Sequence, residues 1–366
     1  MEFILICPTS SQPRFHKRAL QLNRIHKTNI FAFQRGLYEE NKFSPELDFY
    51  KLGKVKDGSY LKRLSTIISA IFKIRMYRNR SNNTDFFFYA MSFDSMLIAI
   101  LAGLNKGLYE VGDIRFDRKK KSIFSYIESY LIKNIKGVVV TSPSFINLIK
   151  TEEHRLAEIP FHVIENKVDK SIVRPIFQNI RNEDSGFRKI KIGLIGFLRY
   201  RLPIERLIKF VQENSNKYEL HCWGDGECKN IIKENTSKNI FFYGSFRNPD
   251  QLEQIYKSID LSYTVYGGDV ATEIGVSTAL PNKYYESAFF HVPILCRVNT
   301  EVGKKSVKNG IGFMIDIENY EIFQRDLLKI KFKDIIIAKT KCSNINTSEL
   351  VEDGSKILLN IFQNQL

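Results

Sequence analysis

No stretch of this sequence is apolar for long enough to cross a bilayer. The longest runs, such as Ser95 to Leu104 beside Asp94, reach about half of the roughly 20 residues a spanning helix needs. Cysteine is sparse and odd in number: Cys7, Cys222, Cys228, Cys296 and Cys342 form no CxxC pair, which argues against a disulfide framework or a structural zinc and predicts reduced thiols in a cytosol. The opening MEFILICPTS lacks the basic n-region of a secretory signal and reads as a strand entering a turn, so a cytoplasmic protein is expected. Short-period repeats and low-complexity tracts are missing. With hydrophobic residues at 43% and charged residues at 26%, neither a disordered nor a collagen-like chain fits.

Acid is in short supply. Lys and Arg number 55 against 40 Asp and Glu, a net charge of +15, and residues 1–165 carry +10 of it. A surplus of this size favours anionic partners such as nucleic acid, phosphorylated small molecules or anionic lipid. Nucleic acid is disfavoured, because no strand alternates aromatic and basic residues as base stacking requires and no known binding motif occurs.

Across 366 residues, short β-type apolar runs alternate with longer amphipathic segments, a pattern of α/β layers in two domains. Strands are expected at Phe3 to Cys7, Asn29 to Phe33, Asp85 to Tyr89, Gly107 to Glu110, Gly137 to Thr141 and Phe161 to Ile164. A second set is expected at Ile190 to Ile195, Tyr218 to Trp223, Ile240 to Tyr243, Asp260 to Val265, Val292 to Cys296 and Gly312 to Ile315. The polar stretch between them reads as a linker. The expected organisation is therefore an N-terminal domain over 1–168, a linker over 169–188, a C-terminal domain over 189–345 and a terminal helix within 346–366, whose apolar positions Leu350, Val351, Ile357, Leu358 and Ile361 suit packing on one face.

Ligands of open α/β sheets bind beyond the carboxyl ends of the strands, so the strand-to-helix junctions carry the chemistry. After Ile195 comes Gly196-Phe-Leu-Arg199-Tyr-Arg201-Leu-Pro203, where a glycine admits close backbone approach and two arginines offer forked cationic donors for a diphosphate. A plain turn with solvated charges is the bland alternative. After Val265 the chain reaches Leu280-Pro281-Asn282-Lys283-Tyr-Tyr-Glu286, in which Pro281 suits a helix start, the free N–H groups there form an anion site, and Lys283 adds a mobile charge. Glu286, three residues on, shares a face with Lys283; it either reaches hydroxyls beside the bound anion or simply pairs with the lysine.

These junctions, with VVVTSPSF (Val138 to Phe145), VIENKVD (Val163 to Asp169), IGLIGFLR (Ile192 to Arg199), CWGDGE (Cys222 to Glu227), IFFYGSF (Ile240 to Phe246), IYKSIDL (Ile255 to Leu261), ALPNKYYESAFFHVPIL (Ala279 to Leu295) and NGIGFMID (Asn309 to Asp316), resemble the ordered blocks of bacterial group-1, family 4-like glycosyltransferases. The resemblance implies a GT-B fold, two Rossmann-like domains facing across a cleft with a C-terminal helix that packs back on the first domain. It also implies an enzyme that moves a sugar from a nucleotide-sugar to a glycan or lipid-linked glycan acceptor in capsule, O-antigen or other surface polysaccharide synthesis. In such enzymes the residues matching Arg199 and Lys283 hold the donor diphosphate and the one matching Glu286 a ribose or sugar hydroxyl. Gly196, Arg201, Gly224, Gly244, Phe246 and Asn282 join them as donor-site candidates.

The sequence also departs from that family. Its paired glutamates, separated by seven residues, would put the first at Thr278, so that Asp269 or Glu273 takes its place or the carboxylate is absent. The usual Gly-Gly loop after the first strand is replaced by Pro8 to Arg18, in which Arg14 and His16 are candidate acceptor contacts. Glu110 and Asp113 follow a strand of the acceptor domain and are candidates for general base or acceptor orientation, with capping or pairing to Arg115 as the alternative. No His and carboxylate cluster has metal-ligand spacing and no DxD-like pair follows a suitable strand, so no metal or other cofactor is expected. Tyr60 to Arg80 holds six Lys or Arg and no acid along a helical apolar period, and Phe116 to Lys136 repeats the pattern with Lys119, Lys120 and Lys121. Both read either as core-facing helices with a solvated basic face or as binders of an anionic membrane at its cytoplasmic side. A sugar-nucleotide epimerase of the same fold is the competing enzyme class.

Overall fold

The computed structural model describes residues 1–34, 43–55, 60–81, 84–112, 127, 130–152, 159–170, 188–268 and 273–364. The chain divides into two compact units: Met1–Glu165 with Asp353–Leu366, and Asn166–Glu352.

The first unit is built on β1 (Glu2–Cys7), β2 (Thr28–Gln34), β3 (Asp48–Lys54), β4 (Phe86–Ala90), β5 (Gly107–Val111), β6 (Gly137–Val140) and β7 (Phe161–Val163). They form one sheet in the order β3-β2-β1-β4-β5-β6-β7, with every pairing parallel. Phe3 to Cys7 are all buried because helices cover both faces, as a parallel sheet requires. One face packs Phe3, Leu5 and Cys7 with Phe15, Ala19 and Leu22 of the helix Pro13–Asn23 and with Leu358, Ile361 and Phe362 of the helix Gly354–Gln363. Phe362 lies 4.6 Å from Phe3 and 4.8 Å from Phe87, ring to ring, so the terminal helix packs back on this sheet.

The second unit repeats the architecture with β9 (Ile190–Phe197), β10 (Tyr218–Asp225), β11 (Ile240–Gly244), β12 (Leu261–Thr264), β13 (Ile294–Arg297) and β14 (Gly312–Ile315). Their order is β11-β10-β9-β12-β13-β14, again wholly parallel. The helix Arg201–Glu213 turns Ile204, Leu207, Ile208, Phe210 and Val211 onto this sheet. In both units strand order reverses beside the first strand, between β1 and β4 and between β9 and β12, which places a ligand crevice at the carboxyl ends there.

Three expectations are corrected. β3 was absent from the sequence reading because it is an edge strand, largely exposed and without an apolar run. The boundary expected between Val168 and Asp169 instead runs through a short strand β8 (Val168–Asp169) that pairs with β15 (Val351–Glu352) in a two-stranded parallel sheet; residues 171–187 lie outside the described residues. The terminal helix is not continuous: β15 interrupts it, Leu350 packs into the second unit, and Asp353 caps a new helix by accepting from the Lys356 N–H. Among the described residues no helix is long and apolar enough to cross a membrane.

Candidate active site

The most built-up site lies at the carboxyl ends of β9 and β10. These strands stay paired past the point where side chains fit between them: Gly224 faces Gly196, and a Cβ on Gly224 would fall 1.8 Å from the Gly196 carbonyl oxygen. Both glycines have positive φ, 143° and 104°. On the other side of Gly196 rests Lys283, whose Cε and Nζ would lie 3.2 and 3.7 Å from a Cβ there. A side chain at Gly196 would therefore displace the lysine.

Lys283 belongs to the first turn of the helix Asn282–Phe289, which starts after Pro281 without any side-chain cap; the Tyr284 N–H bonds to the Pro281 carbonyl at 3.1 Å, and the Asn282 and Lys283 N–H groups and the positive dipole end are open to an anion. Its ammonium donates to Glu286 Oε2 at 2.6 Å, and both side chains are almost wholly buried. The same carboxylate accepts from Asn282 Nδ2 at 2.7 Å and from the Tyr256 hydroxyl at 3.0 Å. Burial, then the adjacent Glu286 charge, pushes the Tyr256 hydroxyl well above its ordinary pKa, which keeps it a donor. Asn282, Lys283 and Glu286 are thus gathered with Gly196 and Gly224. Tyr256 is a member that the sequence does not single out: it is the second residue of the IYKSIDL block, where its only signal is a buried helical position.

The remaining donor candidates sit differently. Arg199 is exposed in the loop after β9, its guanidinium 5.5 Å over the Tyr200 ring. Arg201 is exposed and pairs with Glu205 at 2.7 Å, one turn along its own helix. Gly244 closes β11 with nothing within 4 Å of a would-be Cβ, and Phe246 packs against the cluster of Ile195, Leu252 and Tyr256. Glu273 opens the helix Glu273–Thr278 and is gripped by Arg297, whose Nη1 donates to both carboxylate oxygens at 2.9 and 2.7 Å; Nη2 reaches Glu318 at 2.9 Å. Arg297 in turn lies against Gly267 in the loop after β12. Thr278 ends the same helix half-buried, and Asp269 lies outside the described residues.

In the first unit Glu110, the candidate for general base or acceptor orientation, lies buried among charged partners. Its side chain is fully buried, Oε2 accepts from Arg18 Nε at 2.9 Å and from the Tyr89 hydroxyl, and Arg14 Nε stands 3.8 Å from Oε1. Burial alone would raise its pKa, but Arg18 and then Arg14 outweigh it and hold the carboxyl below its ordinary value. Arg18 itself is 1% exposed and donates to Gln21. Its position between Phe15, Ala19 and Leu22 on one helix face is the signal that foretells a buried cation needing an acid. Arg14 lays its guanidinium over Gly112 at the end of β5. His16 is tied down, its Nε2 bonded to the Ser10 carbonyl at 2.7 Å and its ring stacked 4.0 Å from Phe43; burial lowers its pKa. Asp113 and Lys119 to Lys121 lie outside the described residues. No cluster of metal-ligating side chains occurs among the described residues.

No model of a known protein family matches the sequence. No curated protein matches it either. Solved structures do share its fold. The sucrose-phosphate synthase of Thermosynechococcus elongatus superposes with a TM-score of 0.67 at 11% identity over 99% of this chain and 95% of that one. Anabaena HepE, in complex with UDP and glucose, gives 0.65 at 13% over 99% and 98%. WaaG, a glycosyltransferase involved in lipopolysaccharide biosynthesis, gives 0.60 at 12% over 97% and 99%. At these identities the likeness establishes the fold: two Rossmann-like parallel-sheet units of the GT-B type.

Proposed function

We propose that the protein is a glycosyltransferase that takes a sugar from a nucleotide-sugar and passes it to a hydroxyl of a glycan or lipid-linked glycan in the synthesis of a bacterial surface polysaccharide. The observation that carries this reading is Lys283 held against Gly196 at the uncapped start of the helix Asn282–Phe289, beside the crevice of a Rossmann-like sheet. A diphosphate entering there meets free N–H groups, a buried ammonium and, once it swings in, the Arg199 guanidinium. Glu286 then gives up part of its contact with Lys283 and accepts from a ribose or sugar hydroxyl. As the sugar leaves, charge gathers on the diphosphate, and these cations stabilise it more than they stabilise the intact donor. That HepE is described with UDP and glucose, and UDP-glucose, supports a nucleotide-sugar as the ligand. Asp113 is the acceptor-side base in this reading, with Glu273 as the residue facing the donor sugar.

The test is calorimetric titration with a panel of nucleoside diphosphates, followed by incubation with the matching nucleotide-sugars. Wild type is expected to bind one diphosphate, and Lys283→Ala to bind it about 10- to 150-fold more weakly, the loss of a charge-assisted hydrogen bond. Release of free sugar or of transferred product supports the reading. Conversion of the nucleotide-sugar to its epimer would replace it with the epimerase, and no diphosphate binding at all would end both.

A further inference from the structure

The helix Tyr60–Arg80 is apolar on two sides. Ala70 and Ile74 are fully buried and anchor it to the first unit, where it lies along β3 and the helix Phe93–Leu101. Pointing away from that core, Leu64, Ile68, Phe72 and Met76 recur every fourth residue with 56%, 46%, 57% and 52% of their surface open. Four large apolar side chains in one row cover a continuous strip of roughly 20 Å at 1.5 Å rise per residue. Leu101, at the end of the adjoining helix, is 47% exposed as well. A core helix with a merely basic outer face would present polar residues along this row instead.

Cations border the strip on both sides. Lys73 lies toward β3, where its ammonium reaches the Lys51 and Leu52 carbonyls at 3.1 and 3.2 Å. Arg75 lies toward the other helix, with Nη2 at 3.5 Å from the Leu101 carbonyl. Arg80 is exposed at the end, and no acidic residue occurs anywhere in the helix. We infer that this face docks peripherally on an anionic phospholipid surface, with Leu64, Ile68, Phe72 and Met76 entering the acyl boundary and Lys73, Arg75 and Arg80 lying at headgroup level. Charge selects this occupant over a second copy of the chain: pairing the strip with itself would set one acid-free helix, six cations in all, against another. A lipid surface of negative charge satisfies both the apolar strip and its basic borders. The inference stands apart from the proposed transfer reaction, because binding to vesicles requires no donor and no turnover.

The experiment is co-sedimentation of the full chain with vesicles of phosphatidylcholine alone and of phosphatidylcholine with phosphatidylglycerol in equal parts, across a salt series. Pelleting is expected only with the anionic vesicles at low salt, weakening as the screening length shrinks to roughly 8 Å at physiological ionic strength. Phe72→Ser with Met76→Ser should weaken partitioning about 100-fold, while Arg75→Ser with Arg80→Ser should remove the preference for anionic vesicles. All four side chains are exposed, so unchanged melting temperatures are expected and separate lost docking from lost fold. Phe72→Trp adds a direct probe, with a blue shift of emission on anionic vesicles. The inference is overturned by absence of pelleting at low salt, by equal pelleting on both vesicles, or by a dimer in sedimentation velocity that Phe72→Ser with Met76→Ser dissociates.

Discussion

Glu110 and Glu286 are both buried carboxylates beside a cation, yet their surroundings differ. Glu286 sits beside an uncapped helix start, where the proposed donor's hydroxyls would exchange with its partners. Glu110 is sealed with Arg18 and Tyr89, and removing Arg18 would strand its charge. Arg18→Met is expected to destabilise the first unit by about 3 to 5 kcal/mol in urea denaturation, the cost of orphaning a buried ion. The pH dependence has a definite sign. Because the folded carboxyl is held below the ordinary 4.5, its contribution is complete above that value and is lost as pH falls through the lower folded one. The stability gap between wild type and Glu110→Gln should therefore be widest near neutrality and close in acid; a gap constant from pH 7 to pH 3 would refute the pairing as its cause. Sequence spacing made Lys283 and Glu286 legible because they lie on one turn of one helix. Arg18 and Glu110, 92 residues apart, meet only once the sheet has formed.

At the scale of elements, the loops of the proposed donor site are held close because β9 and β10 remain in register through Gly196 and Gly224. Gly224→Ala puts a methyl group 1.8 Å from a backbone oxygen that cannot retreat without breaking the strand pair, and at a φ that L-residues rarely adopt. Gly244 also has positive φ, but nothing lies within 4 Å of its would-be Cβ. Gly224→Ala should thus cost about 3 kcal/mol or more and abolish nucleotide binding, against about 1 to 2 kcal/mol for Gly244→Ala, a purely conformational cost. Equal losses in the two variants would show that steric closeness is not what Gly224 provides. Twelve strands of the two large sheets follow apolar runs, which a parallel sheet covered on both faces imposes and which the sequence therefore displays. β3, β8 and β15 escape that logic, since an edge strand and a two-residue pair bury too little to demand an apolar run.

For the molecule as a whole, the order of blocks along the chain foretold two repeated α/β units, and the family resemblance, rather than the apolar spacing itself, implied that the last helix packs back on the first of them. Leu358, Ile361 and Phe362 are apolar at helical spacing, which says that they pack and not against what. In the structure they enter the core around Phe3 and Phe87, so the first unit is assembled from both ends of the chain. The sole tryptophan, Trp223, stands in the second unit, stacked 4.6 Å from Tyr243, and so reports on that unit alone. Leu358→Ala and Phe362→Ala each remove a fully buried side chain and should destabilise the first unit by about 2 to 5 kcal/mol, less than additively when combined because both residues line one cluster. Thermal unfolding followed by far-ultraviolet circular dichroism should then split, with an early phase for the first unit, while the Trp223 emission midpoint stays at its wild-type value. A Trp223 midpoint that falls in step with the early phase would overturn the assignment of this segment's packing to the first unit alone.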